Sequence, residues 1–470
     1  MEFPYGRAPL GIMLLAIVAA GVVLLSGGTK NDQPFDLIFV TFTKEHAAAY
    51  QKALPAFEAA NNCRVQIQVV DDRALQSRLQ SAMQVGADVP DMVELQDGFM
   101  SFFTKGMLDD VQFRDLTDRL KSSGLYDQLV TNRFSKWSSR GRIFALPHDV
   151  HPTMLAYRKD IVQQLGIDVN KLTTWDEFAR VGREVVTKDH DGDGTIDHYM
   201  LDLPIDGDVV MQLLALQRGV PMFDADGNVQ LDNDAFVDVM CWYVKQIQGK
   251  DRMAFPAGWG QNLSQAMIDG LVLFYFCPDW RTMQFEFDVP SLKGKMGLMP
   301  LPAWEPGSRR TSTWGATGLA FPKRGRNFEL AWKLAMYLYY DPAQLGPRFL
   351  QTNILPPLKS AWTQPQFSEV DDFWQISLGQ TFIPLANDVP PAPSNAYHYT
   401  AVNKMSKAFT RASRYYAEHG EQGLREVARR ELQQSAEEVR AEMRRNIFLQ
   451  EPAAKQTASA AAATSAEVGR

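Results

Sequence analysis

The sequence predicts an α/β protein of more than one lobe, on three observations. Its 470 residues carry 45% apolar and 22% charged side chains, ordinary for a globular chain and long enough for about two or three domains with real cores. From residue 36 onward, short β-branched runs alternate with longer segments of helical period. An uncharged N-terminal run precedes this alternation and an Ala/Ser/Thr tail follows it, so the folded body lies between them.

From Ala8 to Gly28 the chain has no charged residue, and at about 1.5 Å per residue a helix of this length spans roughly 30 Å, the hydrocarbon thickness of a bilayer. The run is read as a membrane anchor, with a cleaved signal sequence as the alternative, and either one exports residues 31 onward. No cysteine follows it, which excludes lipoprotein-type acylation, and "VVLLSGGTKND" is a weak small-residue cleavage site. Arg7 before the run and Lys30 after it set the orientation only weakly; an extracytoplasmic body is favoured.

"DLIFVTF" (residues 36–42) then reads as a buried strand, "KEHAAAYQKALPAFEAANN" as a helix and "RVQIQVV" (residues 64–70) as a second strand. "ALQSRLQSAMQVG" is a helix stopped at Gly86, and "MVEL" (residues 92–95) is a third strand. This βαβαβ order implies a parallel sheet whose ligands gather at the carboxyl ends of its strands, where "QDGFMSFF" falls. Further on, an apolar strand breaks at Pro147, the polar patch His148, Asp149 and His151 follows, and a second strand leads into a helix. Thr174 and Glu177 form a T-x-x-E capping box for a helix over residues 175–188, and "HYMLDL" beyond it alternates as a strand. Near the end, Leu424, Ala428, Leu432, Ala436, Val439, Met443 and Ile447 keep helical spacing and predict a closing amphipathic helix. The last segment, residues 450–470, has almost no large apolar side chain and reads as a disordered tail.

A net charge of −7 with scattered Lys and Arg argues against a nucleic-acid partner. Cys63, Cys241 and Cys277 lie far apart without CxxC spacing, so free thiols are expected. There is no G-x-S-x-G, H-E-x-x-H or G-x-x-x-x-G-K-[ST] motif, although paired glycosidase carboxylates would need no local signature. "HDVH" (residues 148–151) offers imidazoles, but its spacing fits neither one helical face nor a zinc finger.

Six segments in register carry a family resemblance: "LQSAMQVGADVPDMVEL", "IFALPHDVHPTMLAYRKDIVQQLGI", "TTWDEFARVGREV", "GVPMFDADGNVQLDNDAFVDVMCWYV", "AMIDGLVLFYFCPDW" and "TSTWGATGLAFPKRGRNFELAWKLAMYL". Together they resemble the family 1 extracellular solute-binding proteins, the sugar-binding receptors of bacterial ABC importers, from about residue 35 to about residue 448. The resemblance implies a two-lobed α/β fold of the periplasmic-binding-protein type II kind with a cleft between discontinuous lobes. The N-terminal lobe would hold residues 34–150 plus 311–350 and the C-terminal lobe 151–310 plus 351–449, with hinge crossings near 147–152, 309–314 and 352–358.

On the family pattern Gln96 and Asp97 follow the third strand, and His148 and Asp149 follow the first crossing. Asp279 and Trp280 end "LFYF", and Trp314 and Gly315 open the return to the first lobe. Asp97, Asp149, Trp280 and Trp314 are the expected ligand contacts, with Trp259 and Tyr397 as secondary candidates. Sugars need such a set: flat aromatic faces for C–H surfaces and carboxylates or amides for hydroxyls. Trp242 and Trp332, on helical faces, read as core. The implied function is capture of a saccharide by lobe closure and its delivery to an ABC permease, by a monomer that needs no cofactor, in the periplasm or at the outer face of the cytoplasmic membrane. A membrane-anchored carbohydrate-active enzyme and a receptor for a non-sugar solute are the alternatives.

One loop stands apart. Asp189, Asp191, Asp193, Thr195 and Asp197 occupy the first, third, fifth, seventh and ninth positions of a calcium-type loop, with Gly194 at the sixth. Met200 stands at the twelfth, where a bidentate carboxylate belongs, and a strand follows where a paired EF-hand has a helix. Two readings stay open, a solvated tight turn and one structural calcium ion.

Overall fold

The computed structural model describes residues 35–189, 192–249 and 252–449; the N-terminal apolar run and the Ala-rich tail lie outside the described residues. Two five-stranded sheets form the frame, in the order β2-β1-β3-β12-β6 and β11-β7-β10-β8-β9.

The first sheet begins as the sequence predicts. Strands β1 (Leu37–Thr41), β2 (Val65–Val69) and β3 (Met92–Gln96) pair in parallel, with β1 central to the three. The crossovers are helices α1 (Lys44–Asn61) and α2 (Asp72–Val85). Thr43 caps α1 by accepting the His46 amide, and Gly86 closes α2 in the left-handed conformation at φ 72°. The purely parallel expectation stops there, because β12 (Thr317–Ala320) joins β3 antiparallel and β6 (Ala145–Pro147) joins β12 antiparallel. Strands that return from elsewhere in the chain need not run with the first three. A two-residue hairpin, β4 (Ser138–Ser139) and β5 (Arg142–Ile143), precedes β6.

The second sheet is also mixed. β7 (Thr153–Arg158) lies between β11 (Met296–Pro300) and β10 (Val272–Pro278), antiparallel to both, and β10, β8 (Tyr199–Asp202) and β9 (Ala254–Phe255) run parallel. β7 and β10 are buried along their whole length, and they read as continuous apolar runs for that reason. Around this sheet pack helices α3 (Trp175–Val186), α4 (Asp208–Gln217), α5 (Asp234–Ile247) and α6 (Asp279–Asp288). Thr174 accepts the Glu177 amide at 3.3 Å to start α3, as the capping box predicts. Helices α7 (Phe328–Ala335) and α8 (Pro342–Thr352), joined by a π-helical turn at Met336–Tyr340, return to α1 on the first sheet. The long helices α9 (His398–His419) and α10 (Leu424–Arg444) pair with each other and cover α5. Trp242 and Trp332 are core, and all three cysteines are free thiols, Cys241 half-buried. Among the described residues no helix is long and apolar enough to cross a membrane.

The chain passes between the sheets three times, from β6 to β7, from β11 to β12, and again after α8. The passages are laced together by backbone bonds: Thr153 N to Ser312 O at 3.1 Å, His148 N to Thr317 O at 2.9 Å, and Val150 N to Leu355 O at 3.0 Å.

Close packing at β12 fixes one of these passages. A Cβ added at Gly318 would stand 2.5 Å from the ring of Trp137, which is wholly buried. Gly318→Val should lower the free energy of unfolding by about 1–3 kcal/mol, as overpacking does in a full core. Gly106→Ala, with nothing within 4 Å of its Cβ position, should stay within about 0.5 kcal/mol; urea titration measures both.

Candidate functional site

The three passages meet in a buried chain of charges. Asp149, 1% exposed, accepts Arg133 Nη2 on Oδ1 at 2.9 Å. On Oδ2 it accepts the Thr317 amide at 2.7 Å and faces His151 Nε2 at 3.0 Å. The other face of the same imidazole, Nδ1, lies 2.6 Å from Asp279 Oδ1, and Asp279 Oδ2 accepts the Leu355 amide at 2.8 Å. Arg133 also donates to Asp149 O, Thr313 Oγ1 and Gly315 O at 3.0, 2.8 and 3.0 Å. Every passage is thus bonded into one network. His151 holds its ring there from a left-handed backbone, φ 53°, which is uncommon outside glycine.

Electrostatics follows from this arrangement. Burial alone would lower the His151 pKa, but Asp149 and Asp279 outweigh it and push it up to about 9. Burial likewise raises the Asp149 carboxyl, and His151, His148 and Arg133 together hold it well below its ordinary value.

Thr313 and Gly315 of this network also line an open cleft. Asp97 and Gly98 enter it from the end of β3, Lys136 from the 3-10 segment Thr131–Trp137, and Val209, Gln212, Leu213 and Leu216 from α4. The passage into β12 adds Thr313, Trp314 and Gly315, the loop before α9 adds Ser394, and the start of α9 adds His398. Lys136 is bonded to Asp97. Burial pushes the Asp97 carboxyl up, yet Lys136 and His398 bring it below its usual value, so it is a fixed anion with hydroxyl-accepting capacity.

Beside the cleft Trp314 shares a smaller chamber with Trp259, Arg281 and Asp202. Trp314 meets Trp259 and Trp280 edge-on, at centroid distances of 5.7 and 6.0 Å, and Trp280 Nε1 donates to Trp314 O at 3.1 Å. The Arg281 guanidinium lies 4.6 Å from the Trp259 ring centre and 5.3 Å from that of Trp314. Burial raises the Asp202 carboxyl to about 6, although Arg281 opposes the shift. An aromatic cluster with a fixed anion, an amide and hydroxyls converging on one cleft suits a polyhydroxylated ligand.

Residues 43–345 match the family described as bacterial extracellular solute-binding protein. The chain belongs to that family. It is therefore a solute-binding protein, not an enzyme. An arabinooligosaccharide-binding protein of Halalkalibacterium halodurans is 26% identical over 361 residues, covering 75% of this chain and 78% of the relative. Its namesake in Bacillus subtilis is 25% identical over 325 residues, with 68% and 72% covered. Among solved structures, the sugar-binding protein MalE of Xanthomonas citri superposes with a TM-score of 0.72 at 20% identity, over 88% of this chain and all (100%) of that one. Maltose-bound MalE3 of T. maritima gives a TM-score of 0.63 at 19% identity, over 84% and 98%. Both show the two-lobed fold of this solute-binding protein.

The sequence-predicted residues separate into two groups. Asp97, Trp314 and Gly315 line the cleft, Trp259 lines the side chamber half-exposed, and Trp280 braces Trp314. Asp149 and Asp279 lie instead in the buried network, at 1% and 0% exposure, with their oxygens already bonded. His148, 2% exposed, points into a separate cluster with His46 and Glu94. Gln96 is exposed at the end of β3 and Tyr397 precedes α9 with Lys105 5.5 Å from its ring centre; neither lines the cleft. Lys136, Gln212 and His398, which do, were not singled out from sequence, nor were Arg133 and Arg281.

In the Asp-rich loop, Asp189 accepts the amides of Gly192 and Gly194 at 2.7 and 2.9 Å, and Asp193 accepts Thr195 N and Oγ1 at 2.7 and 2.6 Å. These are turn-forming bonds in an exposed loop; Asp191 lies outside the described residues. None of its described residues lines the cleft.

The His151 shift has a stability consequence. A histidine raised from 6.5 to about 9 in the folded state contributes in full below the lower value and loses its contribution as pH rises through the upper one. Between about pH 7 and about pH 10, wild type should lose about 2 kcal/mol more than a His151→Gln variant. Urea unfolding at the two pH values measures the difference.

Proposed function

We propose that this solute-binding protein captures an oligosaccharide in the cleft and hands it to an ABC importer. The observation that carries the reading is the Trp314 cluster, set on a chain passage between the sheets, with the Lys136-bound carboxylate of Asp97 facing the same space. In this reading the lobes are residues 34–150 plus 311–350 and 151–310 plus 351–449, closing about the three passages. Closure surrounds the sugar with aromatic faces and excludes water, and it is favoured by the difference in ligand affinity between closed and open forms. The uncharged run of residues 8–28 would tether or export the body to the outer face of the membrane, where a permease waits.

Arabino-oligosaccharides are the first ligands to test, because two relatives carry that name. Titration calorimetry should give saturable binding to them or to malto-oligosaccharides, with no reducing ends released over hours. Binding of a polyamine or peptide and of no saccharide would overturn the sugar assignment.

Trp314→Ala should raise Kd at least about tenfold, since loss of one stacking face costs on the order of 1.4 kcal/mol or more. The variant should remain folded, as Trp314 is only partly buried. Unchanged affinity in a folded Trp314→Ala protein would remove this residue from the binding face.

A further inference from the structure

Outside the cleft lining, His46, Glu94 and His148 form a cluster that ligand capture does not use. They come from three elements: the first turn of α1, the centre of β3, and the residue after β6. One ligating atom of each lies within 4.8 Å of the others, and the residues are 5%, 0% and 2% exposed. Glu94 is saturated. Tyr50 and Tyr339 hydroxyls donate to Oε1 at 2.6 and 2.5 Å, the Thr41 hydroxyl donates to Oε2, and His46 Nδ1 lies 3.0 Å from Oε2.

His148 is the exception. Its Nε2 has no hydrogen-bond partner and its Nδ1 has only the Asp149 carboxylate, at 3.5 Å, although the ring centre stands 4.4 Å from that of His46 and 4.9 Å from that of Tyr339. A buried ring nitrogen left without a partner is costly, and in an otherwise satisfied cluster Nε2 calls for one.

We propose that His46, Glu94 and His148 are the ligands of a structural divalent transition-metal ion of the zinc class. Two imidazoles and a carboxylate are a donor set for such an ion, whereas calcium and magnesium take oxygen. Bonds of about 2.1 Å place tetrahedral ligands roughly 3.4 Å apart, so small inward ring shifts close the set on an ion.

The surroundings match an outer shell. Asp149 Oδ2 stands 3.5 Å from His148 Nδ1, so Nε2, which has no partner, is the nitrogen left for the ion in a carboxylate–histidine–metal arrangement. The Tyr50 and Tyr339 hydroxyls fix the Glu94 carboxylate from its other oxygen. Arg348, 5.7 and 5.8 Å from the ring centres of Tyr50 and Tyr339, brings an opposing positive charge, and Glu94 and Asp149 together offset the dication. The ion would pin α1 to β3 and to the start of the first passage.

The test uses the full chain without a histidine tag, stripped with chelator and dialysed against Zn²⁺ or Co²⁺ alone. The expected results are one equivalent of retained zinc and, with cobalt, visible d–d bands of a low-coordinate site. His46→Gln and His148→Gln should each weaken binding by roughly 100-fold or more, since loss of even an outer-shell partner costs 10–100-fold. His419→Gln, on an exposed side chain, should leave it unchanged. Zinc-edge X-ray absorption on wild type needs no variant and should show two imidazoles with oxygen. A native protein that retains no ion, cobalt bands that survive both histidine variants, or an all-oxygen shell would each overturn the proposal.

Discussion

The structure turns on one buried chain of charges, Arg133–Asp149–His151–Asp279. Taking these groups out of water is expensive, and the network offsets that cost only because nearly every lone pair and proton has a partner. Main-chain groups of all three passages share in it, through the Asp149 carbonyl, the Gly315 carbonyl with the Thr317 amide, and the Leu355 amide. The passages therefore hold one mutual geometry while the sheets on either side retain their own packing. Bonds of this directional kind specify an arrangement that apolar contacts, which lack direction, leave less defined.

The cleft is built onto that fixed point. Trp314 and Gly315 belong to the passage into β12, so the principal aromatic face is positioned by the same backbone that Arg133 binds. Asp97 and Lys136 come from the first-sheet side, and α4 brings Gln212 and apolar side chains from the other. Cleft residues gathered from both sides of a seam would respond to relative movement of the sheets, which is the property the proposed capture needs.

Much of the fold was legible because its signals are local. The βαβαβ start, the Gly86 stop and the Thr174 cap depend on residues within a turn of one another. The antiparallel entry of β12 and β6 was not legible, since it depends on where distant segments return. The site divides in the same way. Asp97, Trp259 and Trp314 sit where strand ends and passages place them, while Asp149 and Asp279 carry the same local signature but are drawn inward by His151, 128 residues from Asp279. A carboxylate that accepts a ligand hydroxyl and one that anchors a hinge look alike until their partners are known. Lys136 and Arg133 share the short 3-10 segment Thr131–Trp137, whose period gives no face to read, and only the tertiary fold sends one to the cleft and the other to the network.

The central claim is that an oligosaccharide is held by movement of the two lobes about this polar seam. Small-angle X-ray scattering of the protein, free and saturated with a saccharide that calorimetry shows to bind, tests it most directly. Lobe closure gives the saturated state the smaller radius of gyration. Tight saccharide binding with superimposable free and bound scattering curves would contradict it.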